Sequence, residues 1–95
     1  MRIRYTPRAR SDLDSIFSYL DERSPASAIG VKRVIERTIQ GLSDFPEIAP
    51  PTDFGARALV IGRFPYRVFY RIREGEIHIL HVRHTSRYPW QEQDE

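Results

Sequence analysis

Residues 66–84 carry the clearest pattern of hydrophobic and polar positions in the chain. Two runs rich in β-branched and aromatic residues flank a short polar break, which is the signature of a β-hairpin. A two-residue loop at Glu74 and Gly75 allows Gly75 to take a positive φ at little cost. The register that follows from this loop predicts that Val68 lies opposite His81.

Alternation with period two along these strands predicts two different faces. One face is apolar except at one end, and we expect it to lie against the core: Tyr66, Val68, Tyr70, Ile72, Ile77, Ile79, His81 and Arg83. The other face is mixed: Arg67, Phe69, Arg71, Arg73, Glu76, His78, Leu80, Val82 and His84. A monomer gains little by exposing the apolar part of the mixed face. The pattern therefore predicts either a partner that covers this face or a second, smaller core layer beneath a loop.

The remainder of the chain predicts two more strands and two helices. Alternation over residues 2–5 indicates a first strand. Thr-Pro at 6–7 and Ser-Pro at 24–25 are helix starts, and each is followed by apolar residues at helical spacing, the second helix ending near Asp44. The apolar run at 58–61 indicates a further strand.

This order, β-α-α-β-β-β, predicts an α+β fold in which an N-terminal strand and an αα-hairpin pack on a small antiparallel sheet. We assign residues 1–90 to a single domain and expect the acidic segment 91–95 to be frayed. A chain of 95 residues supports one modest core. No apolar run approaches the ~20 residues of a membrane span, and no signal-peptide pattern opens the chain. We therefore expect a cytoplasmic protein without membrane contact.

The net charge of +2 conceals an uneven distribution. Residues 1–56 sum to zero, residues 57–90 sum to +5, and residues 91–95 sum to −3. Fourteen of the fifteen basic residues are Arg, which makes planar, bidentate contacts with carboxylates and phosphates. An Arg-rich sheet points to an acidic protein partner or to a phosphate backbone, although Arg chosen only for solubility gives the same composition.

Three histidines could form a metal site, but their spacing in the sequence disfavours one. His78, His81 and His84 are three residues apart on a predicted strand, so His81 points away from the other two. A zinc site needs three or four convergent ligands, and the chain has no cysteine. We therefore predict no metal and no other cofactor.

Nuclease chemistry needs a general base, a general acid and cations beside the scissile phosphate. The mixed face offers Arg67 and Arg71 as cations and His84 as an imidazole. Carboxylates that could act as a base, Glu47 and Asp53, lie in a loop whose position the sequence does not define. The alternative for the two arginines is pairing at the surface with Glu76 or contact with solvent alone, and such exposed pairs contribute only about 0–1 kcal/mol.

Four motifs, in this order, resemble the ParE branch of the RelE/ParE toxin superfamily. They are Ile3-x-Tyr5-x-Pro7-x-Ala9 with Asp12-Leu13-x-x-Ile16, Leu42-x-x-Phe45-Pro46, Pro65-Tyr66-Arg67-Val68-x-Tyr70-Arg71, and Val82-Arg83-His84-x-x-Arg87-x-Pro89. The resemblance covers about residues 1–90. It implies the toxin of a type II toxin–antitoxin module of the plasmid-stabilisation kind. A ParD-like antitoxin would neutralise the toxin, and operator DNA would be contacted only through that antitoxin.

The resemblance also separates two activities, because ParE toxins are described as DNA gyrase poisons and RelE toxins as ribosome-dependent mRNA endoribonucleases. Two lysines of the nuclease pattern fall on Ala58 and Val60 of this chain, whereas its arginine is retained as Arg67. The last arginine and the catalytic tyrosine of that pattern have no secure match, although Arg87 and Tyr88 lie nearby. Losing both lysines removes charge that would stabilise a transition state, so the pattern favours a non-enzymatic gyrase inhibitor.

These inferences give three hypotheses. In the first, a gyrase-binding toxin contacts its antitoxin through Arg67, Phe69, Arg71, Leu80 and Val82. It contacts its target through His84, Arg87, Tyr88 and Trp90. In the second, the chain is a ribosome-dependent nuclease that uses Arg67, His84 and Arg87. In the third, it is a small oligomerising domain without toxicity.

Overall fold

A computed structural model describes residues 1–53 and 55–85. Its elements, in chain order, are β1 (Arg2–Tyr5), α1 (Pro7–Arg23), α2 (Pro25–Gln40), a 3₁₀ turn (Gly41–Ser43), β2 (Arg57–Val60), β3 (Tyr66–Arg73) and β4 (Glu76–His84). The predicted α+β class and the order β-α-α-β-β-β are confirmed. The acidic segment 91–95 lies outside the described residues.

The four strands form one sheet in the order β1-β4-β3-β2. β2, β3 and β4 are antiparallel neighbours, as predicted. β1 instead pairs in parallel with the first part of β4, with Ile3 opposite Ile77 and Tyr5 opposite Ile79. The expectation of a purely antiparallel sheet is therefore wrong for β1, which joins the free edge of β4 and runs in the same direction.

Both helices begin where the Thr-Pro and Ser-Pro signals predict. The hydroxyl of Thr6 accepts a hydrogen bond from the backbone N–H of Ala9 at 3.1 Å and donates to the carbonyl of Ile79 at 2.9 Å. Thr6 thus caps α1 and ties its start to β4 at the same time. Ser24 alone separates α1 from α2, so the predicted αα-hairpin is joined by a single residue.

The two helices cover one face of the sheet. Their apolar stripes meet the inward side chains of the central strands in one core: Ala9, Val31, Ile35, Ile39, Leu42, Ala49, Ile61, Tyr66, Val68, Tyr70, Ile77, Ile79 and Val82. Tyr70 is fully buried, and its hydroxyl donates to the carbonyl of Pro46 at 2.7 Å, which holds the loop after α2 against this face. Neither helix of the described residues is long and apolar enough to cross a membrane.

The β3–β4 hairpin closes through the two-residue turn that the sequence predicts. Gly75 has a φ of 75°, and Glu74, which the sequence left in ordinary geometry, also has a positive φ of 53°. Positive φ at both central positions defines a type I′ turn, whose twist matches the flanking strands. Glutamate has no side-chain advantage in this region, so its backbone conformation costs free energy.

We predict that Glu74→Asn raises the free energy of unfolding by about 0.5–1 kcal/mol, because Asn tolerates left-handed geometry better than Glu. Urea denaturation of the two proteins measures the difference. Glu74→Gln is the matched control, since it removes the charge and keeps an unfavourable residue in the turn. Equal stabilisation by both variants would assign the gain to charge and contradict a backbone origin.

Candidate functional site

A β-bulge in β4 determines which side chains share a face of the sheet. The predicted register holds from the turn as far as Tyr70 opposite Ile79. Beyond that pair one extra residue of β4 is inserted, so that Phe69 lies opposite His81 and Val68 opposite Val82. A single-residue insertion moves every later side chain of the strand to the other face.

Four residues therefore lie on the opposite side from the sequence prediction. Val82 is only 2% exposed and belongs to the core, so its predicted place on the antitoxin-binding face is wrong. His84 lies opposite Tyr66 and meets that ring edge-on at 5.4 Å, which removes it from the mixed face. His81 and Arg83 move the other way, to the side turned away from the helices.

We call that side of the sheet, turned away from the helices, the back face. Register and contacts assign to it Arg2, Arg4, Ala58, Val60, Arg67, Phe69, Arg71, Arg73, Glu76, His78, His81 and Arg83. Phe69 and His81 stack near its centre with ring centroids 5.8 Å apart, and each is 8% exposed. The back face is therefore mainly cationic, with a buried aromatic pair in the middle.

The carboxylate of Asp12 anchors α1 to the bulge. One of its oxygens, Oδ2, accepts from the backbone N–H of Val82 at 3.0 Å and lies 2.6 Å from Nδ1 of His81. The other, Oδ1, accepts from Nε of Arg8 at 3.0 Å, one helical turn earlier. The side chain of Asp12 thus occupies the edge of β4 at the point where β1 has already ended.

Burial and hydrogen bonding act in opposite directions on the pKa of Asp12. Burial of the carboxyl group raises its pKa, because the charged form loses hydration. Hydrogen bonds from His81, from the N–H of Val82 and from Arg8 favour the carboxylate, and together they outweigh burial. The pKa of Asp12 in the folded protein is therefore lower than its ordinary value.

Sequence reasoning did not select Asp12 as a site residue. Asp12 stands in the Asp-Leu motif that resembles the toxin family and lies four residues after Arg8, which suits an ion pair on one helix face. Those two signals together could have marked it as structurally important. They could not have named His81 as its partner, which is 69 positions away.

The predicted antitoxin-binding residues are only partly brought together. Arg67 is exposed and Arg71 half-buried on the back face, as predicted. Phe69 lies between them but is largely covered, and Leu80, the inserted residue of the bulge, is half-buried. The alternative that Glu76 pairs with the two arginines is wrong, since Glu76 lies 3.3 Å from Arg4, 3.9 Å from Arg2 and 3.3 Å from His78.

The positions that would carry nuclease lysines also lie on the back face. Ala58 lies opposite Phe69, and Val60 lies opposite Arg67, so both flank the retained arginine. His84 points to the helix side of the sheet and does not share a face with Arg67. The structure therefore separates Arg67 from the imidazole that a nuclease would use with it.

Other sequence candidates are not gathered into a reactive cluster. Glu47 lies in the loop after α2 with its carboxylate 3.7 Å from Arg57, and Asp53 is exposed in the same loop. Within residues 1–53 and 55–85, no group of three or more His, Asp or Glu side chains is arranged to hold a metal ion. Arg87, Tyr88 and Trp90 lie outside the described residues.

Comparison with known proteins gives the family. Residues 3–89 match the family described as "ParE toxin of type II toxin-antitoxin system, parDE". This match spans nearly the whole chain, so the protein belongs to the ParE toxin family of type II toxin–antitoxin systems.

Two curated relatives agree with that assignment. "Toxin RelE2" of Caulobacter vibrioides is 30% identical over 83 residues, which cover 87% of this chain and 93% of the relative. "Putative toxin Y4kP" of Sinorhizobium fredii is 34% identical over 85 residues, which cover 88% of each protein. The predicted ParE-like member of the RelE/ParE superfamily is therefore confirmed.

A solved structure shares the fold. The structure "Chromosomal ParDE TA system from P. aeruginosa" contains a chain that superposes with a TM-score of 0.80 at 24% identity. The alignment covers 90% of this chain and 97% of that chain. At this level of identity the likeness supports the architecture alone.

We predict that Asp12→Asn lowers the free energy of unfolding by about 1–3 kcal/mol at neutral pH, because it weakens charge-assisted bonds to Val82, His81 and Arg8. The pKa of Asp12 is lower in the folded than in the unfolded chain. The contribution of Asp12 to stability is therefore present at pH values above its pKa in the unfolded chain. It is lost as the pH falls through its pKa in the folded chain. Denaturant unfolding between about pH 6 and pH 2 should show the deficit of the variant shrinking as the pH falls.

Asp14→Asn, at an exposed position of the same helix, is the matched control for this measurement. We expect it to change stability by less than about 0.5 kcal/mol at any pH in that range. A deficit of Asp12→Asn that is the same at low and neutral pH would contradict the proposed role of its charge.

Proposed function

We propose that this protein is a non-enzymatic toxin that inhibits DNA gyrase in the cytoplasm and is held inactive by a ParD-like antitoxin, in a module that stabilises plasmids. The observation that carries the proposal is the surroundings of Arg67. The two positions beside it that a nuclease would fill with lysine are Ala58 and Val60. Membership of the ParE toxin family supports the same conclusion.

The two strand positions beside Arg67 lack the positive charge that the transition state of phosphate cleavage needs. Phosphate cleavage builds negative charge on the transferring group, and cations that meet it in the transition state provide much of the catalysis. Ala58 and Val60 provide none, and Val60 instead exposes 52% of an apolar side chain beside Arg67. His84, the imidazole that the sequence assigned to the nuclease role, lies across the sheet from Arg67. His81, which the bulge brings to the back face, is largely buried, and its Nδ1 lies 2.6 Å from Asp12.

We expect expression of the chain without antitoxin to arrest growth, with filamentous cells and induction of the DNA-damage response. The physical reason is that a bound inhibitor of gyrase leaves DNA breaks, whereas translation is not its direct target. Microscopy and a DNA-damage reporter measure the outcome, with an antitoxin co-expression strain as the control. Rapid arrest of translation with cleaved mRNA on purified ribosomes would contradict this function.

A RelE-type endoribonuclease is the second candidate. One curated relative is named "Toxin RelE2", and the arginine of the nuclease pattern is retained here as Arg67. In this function Arg67 would stabilise the phosphate, while His84 and Arg87 would serve the proton transfers. The ribosome assay above distinguishes the two candidates directly.

For the antitoxin, we propose a contact on the back face along β3. Arg67 and Arg71 offer guanidinium groups to the carboxylates of an acidic segment, and the half-buried Leu80, the inserted residue of β4, would add an apolar contact. Phe69 supports this surface from beneath, since it is largely covered. β2 is an edge strand whose end at Val60 offers backbone groups to an added strand.

We predict that Arg67→Glu combined with Arg71→Glu weakens antitoxin binding by several kcal/mol, because the antitoxin carboxylates would meet like charge. Titration calorimetry with the ParD-like protein encoded beside the toxin measures the change. Arg33→Glu combined with Arg37→Glu is the matched control, since it makes the same charge change on exposed positions of α2. An unchanged dissociation constant for the sheet variant would contradict this contact.

For the target, we propose His84, Arg87, Tyr88 and Trp90. Arginine and tryptophan are the side chains most enriched at binding hot spots, and the stretch follows directly after the last strand. His84 supports its start from the sheet, because its ring packs edge-on against the buried Tyr66.

A further inference from the structure

The back face concentrates positive charge far beyond the net charge of the chain. In the part of the chain that the structure describes, six arginines and one carboxylate, that of Glu76, lie on it: Arg2, Arg4, Arg67, Arg71, Arg73 and Arg83. Among the described residues Glu76 is engaged by Arg2, Arg4 and His78, and no carboxylate lies within 4 Å of Arg67, Arg71 or Arg73. A surface of this kind attracts polyanions from a distance and holds them at contact.

The arginines fall into two groups that are spaced along the strands. One group lies toward the hairpin turn: Arg2, Arg4, Arg71 and Arg73. The other lies at the opposite end of β3, where the register sets Arg67 opposite Arg83. Arg67 and Arg71 are four residues apart, which is about 14 Å along a strand at ~3.4 Å per residue.

That spacing suits the two backbones of a duplex. The major groove of B-DNA is about 12 Å wide, so two cationic groups ~14 Å apart can each meet one of the strands that border it. The four strands of the sheet span about 14 Å in the other direction, at ~4.8 Å between neighbours. The spacing of the two arginine groups therefore matches the distance between the backbones that border one groove.

The middle of the back face is unsuited to single-stranded nucleic acid. Proteins that hold single strands stack the bases on accessible aromatic rings, but Phe69 and His81 stack on each other and are each only 8% exposed. In the described part of the chain, the back face has one large exposed apolar side chain, Val60 at its edge, so an acidic antitoxin segment and a duplex would both be held there mainly by charge.

We propose that the back face is a sequence-independent binding site for duplex DNA, which it holds by its phosphate backbones. Arg67 contacts one strand, and the group around Arg71 and Arg73 contacts the strand across the groove. Arginine suits this contact, because its guanidinium group meets phosphate oxygens in a bidentate geometry. This binding is an activity of the toxin itself, separate from any operator DNA bound through an antitoxin.

The test measures fluorescence anisotropy of a labelled 20-base-pair duplex of arbitrary sequence, titrated with the purified full chain at several salt concentrations. Arg67→Gln combined with Arg73→Gln removes one exposed cation from each group. We expect affinity to fall about tenfold or more at low salt. The slope of log affinity against log salt should decrease by about 2, one unit for each phosphate that an arginine no longer neutralises.

Arg33→Gln combined with Arg37→Gln is the matched control, because it removes the same charge from exposed positions of α2. We expect it to change affinity less than threefold. Because the substituted side chains are exposed, circular dichroism should show wild-type folding for both. Arg67→Gln and Arg73→Gln singly, each expected to lower the slope by about 1, replace the double variant if its spectrum differs.

Three results would overturn the proposal. Equal losses of affinity in the sheet variant and the helix control would mean that only net charge matters. Tighter binding of a single strand of the same length would exclude the duplex geometry. A competition experiment compares polyglutamate with unlabelled duplex as displacers of the labelled duplex. Displacement by polyglutamate at a lower concentration of negative charge than unlabelled duplex requires would identify an acidic polypeptide as the preferred occupant.

Discussion

The hydrogen bond from the Val82 amide to the Asp12 carboxylate is the contact on which the arrangement of the sheet depends. β1 ends at Tyr5, so within residues 1–53 and 55–85 no strand borders this edge of β4 beyond Ile79. A buried amide without an acceptor would cost about 1–3 kcal/mol. The carboxylate from α1 provides the acceptor, holds the helix against the strand and stabilises the bulge. Through the bulge it assigns Val82 to the core and His81 to the back face.

Local patterns were sufficient to predict the elements of this fold but not the faces of its last strand. The Thr-Pro and Ser-Pro helix starts depend on residues within one helical turn, and the Glu-Gly turn depends on two adjacent residues. Both features can therefore be predicted from the sequence. The bulge depends on a carboxylate 69 positions from His81. The prediction from period-two alternation assumes that β4 pairs with β3 without interruption. Because one residue is inserted in β4, the prediction assigned Val82 and His84 to the wrong side of the sheet. The parallel pairing of β1 with β4 also joins residues that are far apart in the sequence.

The candidate site was predictable to a similar extent. The motif Tyr-Arg-Val-x-Tyr-Arg identified Arg67 and Arg71 as surface residues, because alternation along β3 is undisturbed. The apolar residues of the predicted mixed face were separated by the bulge, which took Val82 into the core and left Phe69 covered. Activity is harder to infer than fold, because one scaffold can carry different functions on a few surface positions. Here those positions include Ala58 and Val60, whose meaning depends on their place beside Arg67.

The two anionic occupants proposed for the back face are not independent. An antitoxin segment whose carboxylates meet Arg67 and Arg71 would cover cations that the duplex also needs, so the two ligands would compete. Linkage then requires that DNA weaken the antitoxin by the same factor by which the antitoxin weakens DNA. Neutralisation would follow from occupation of a shared surface, without any change of conformation. Placing so many guanidinium groups on neighbouring strands costs stability by repulsion, which is consistent with a surface selected for binding and not for folding.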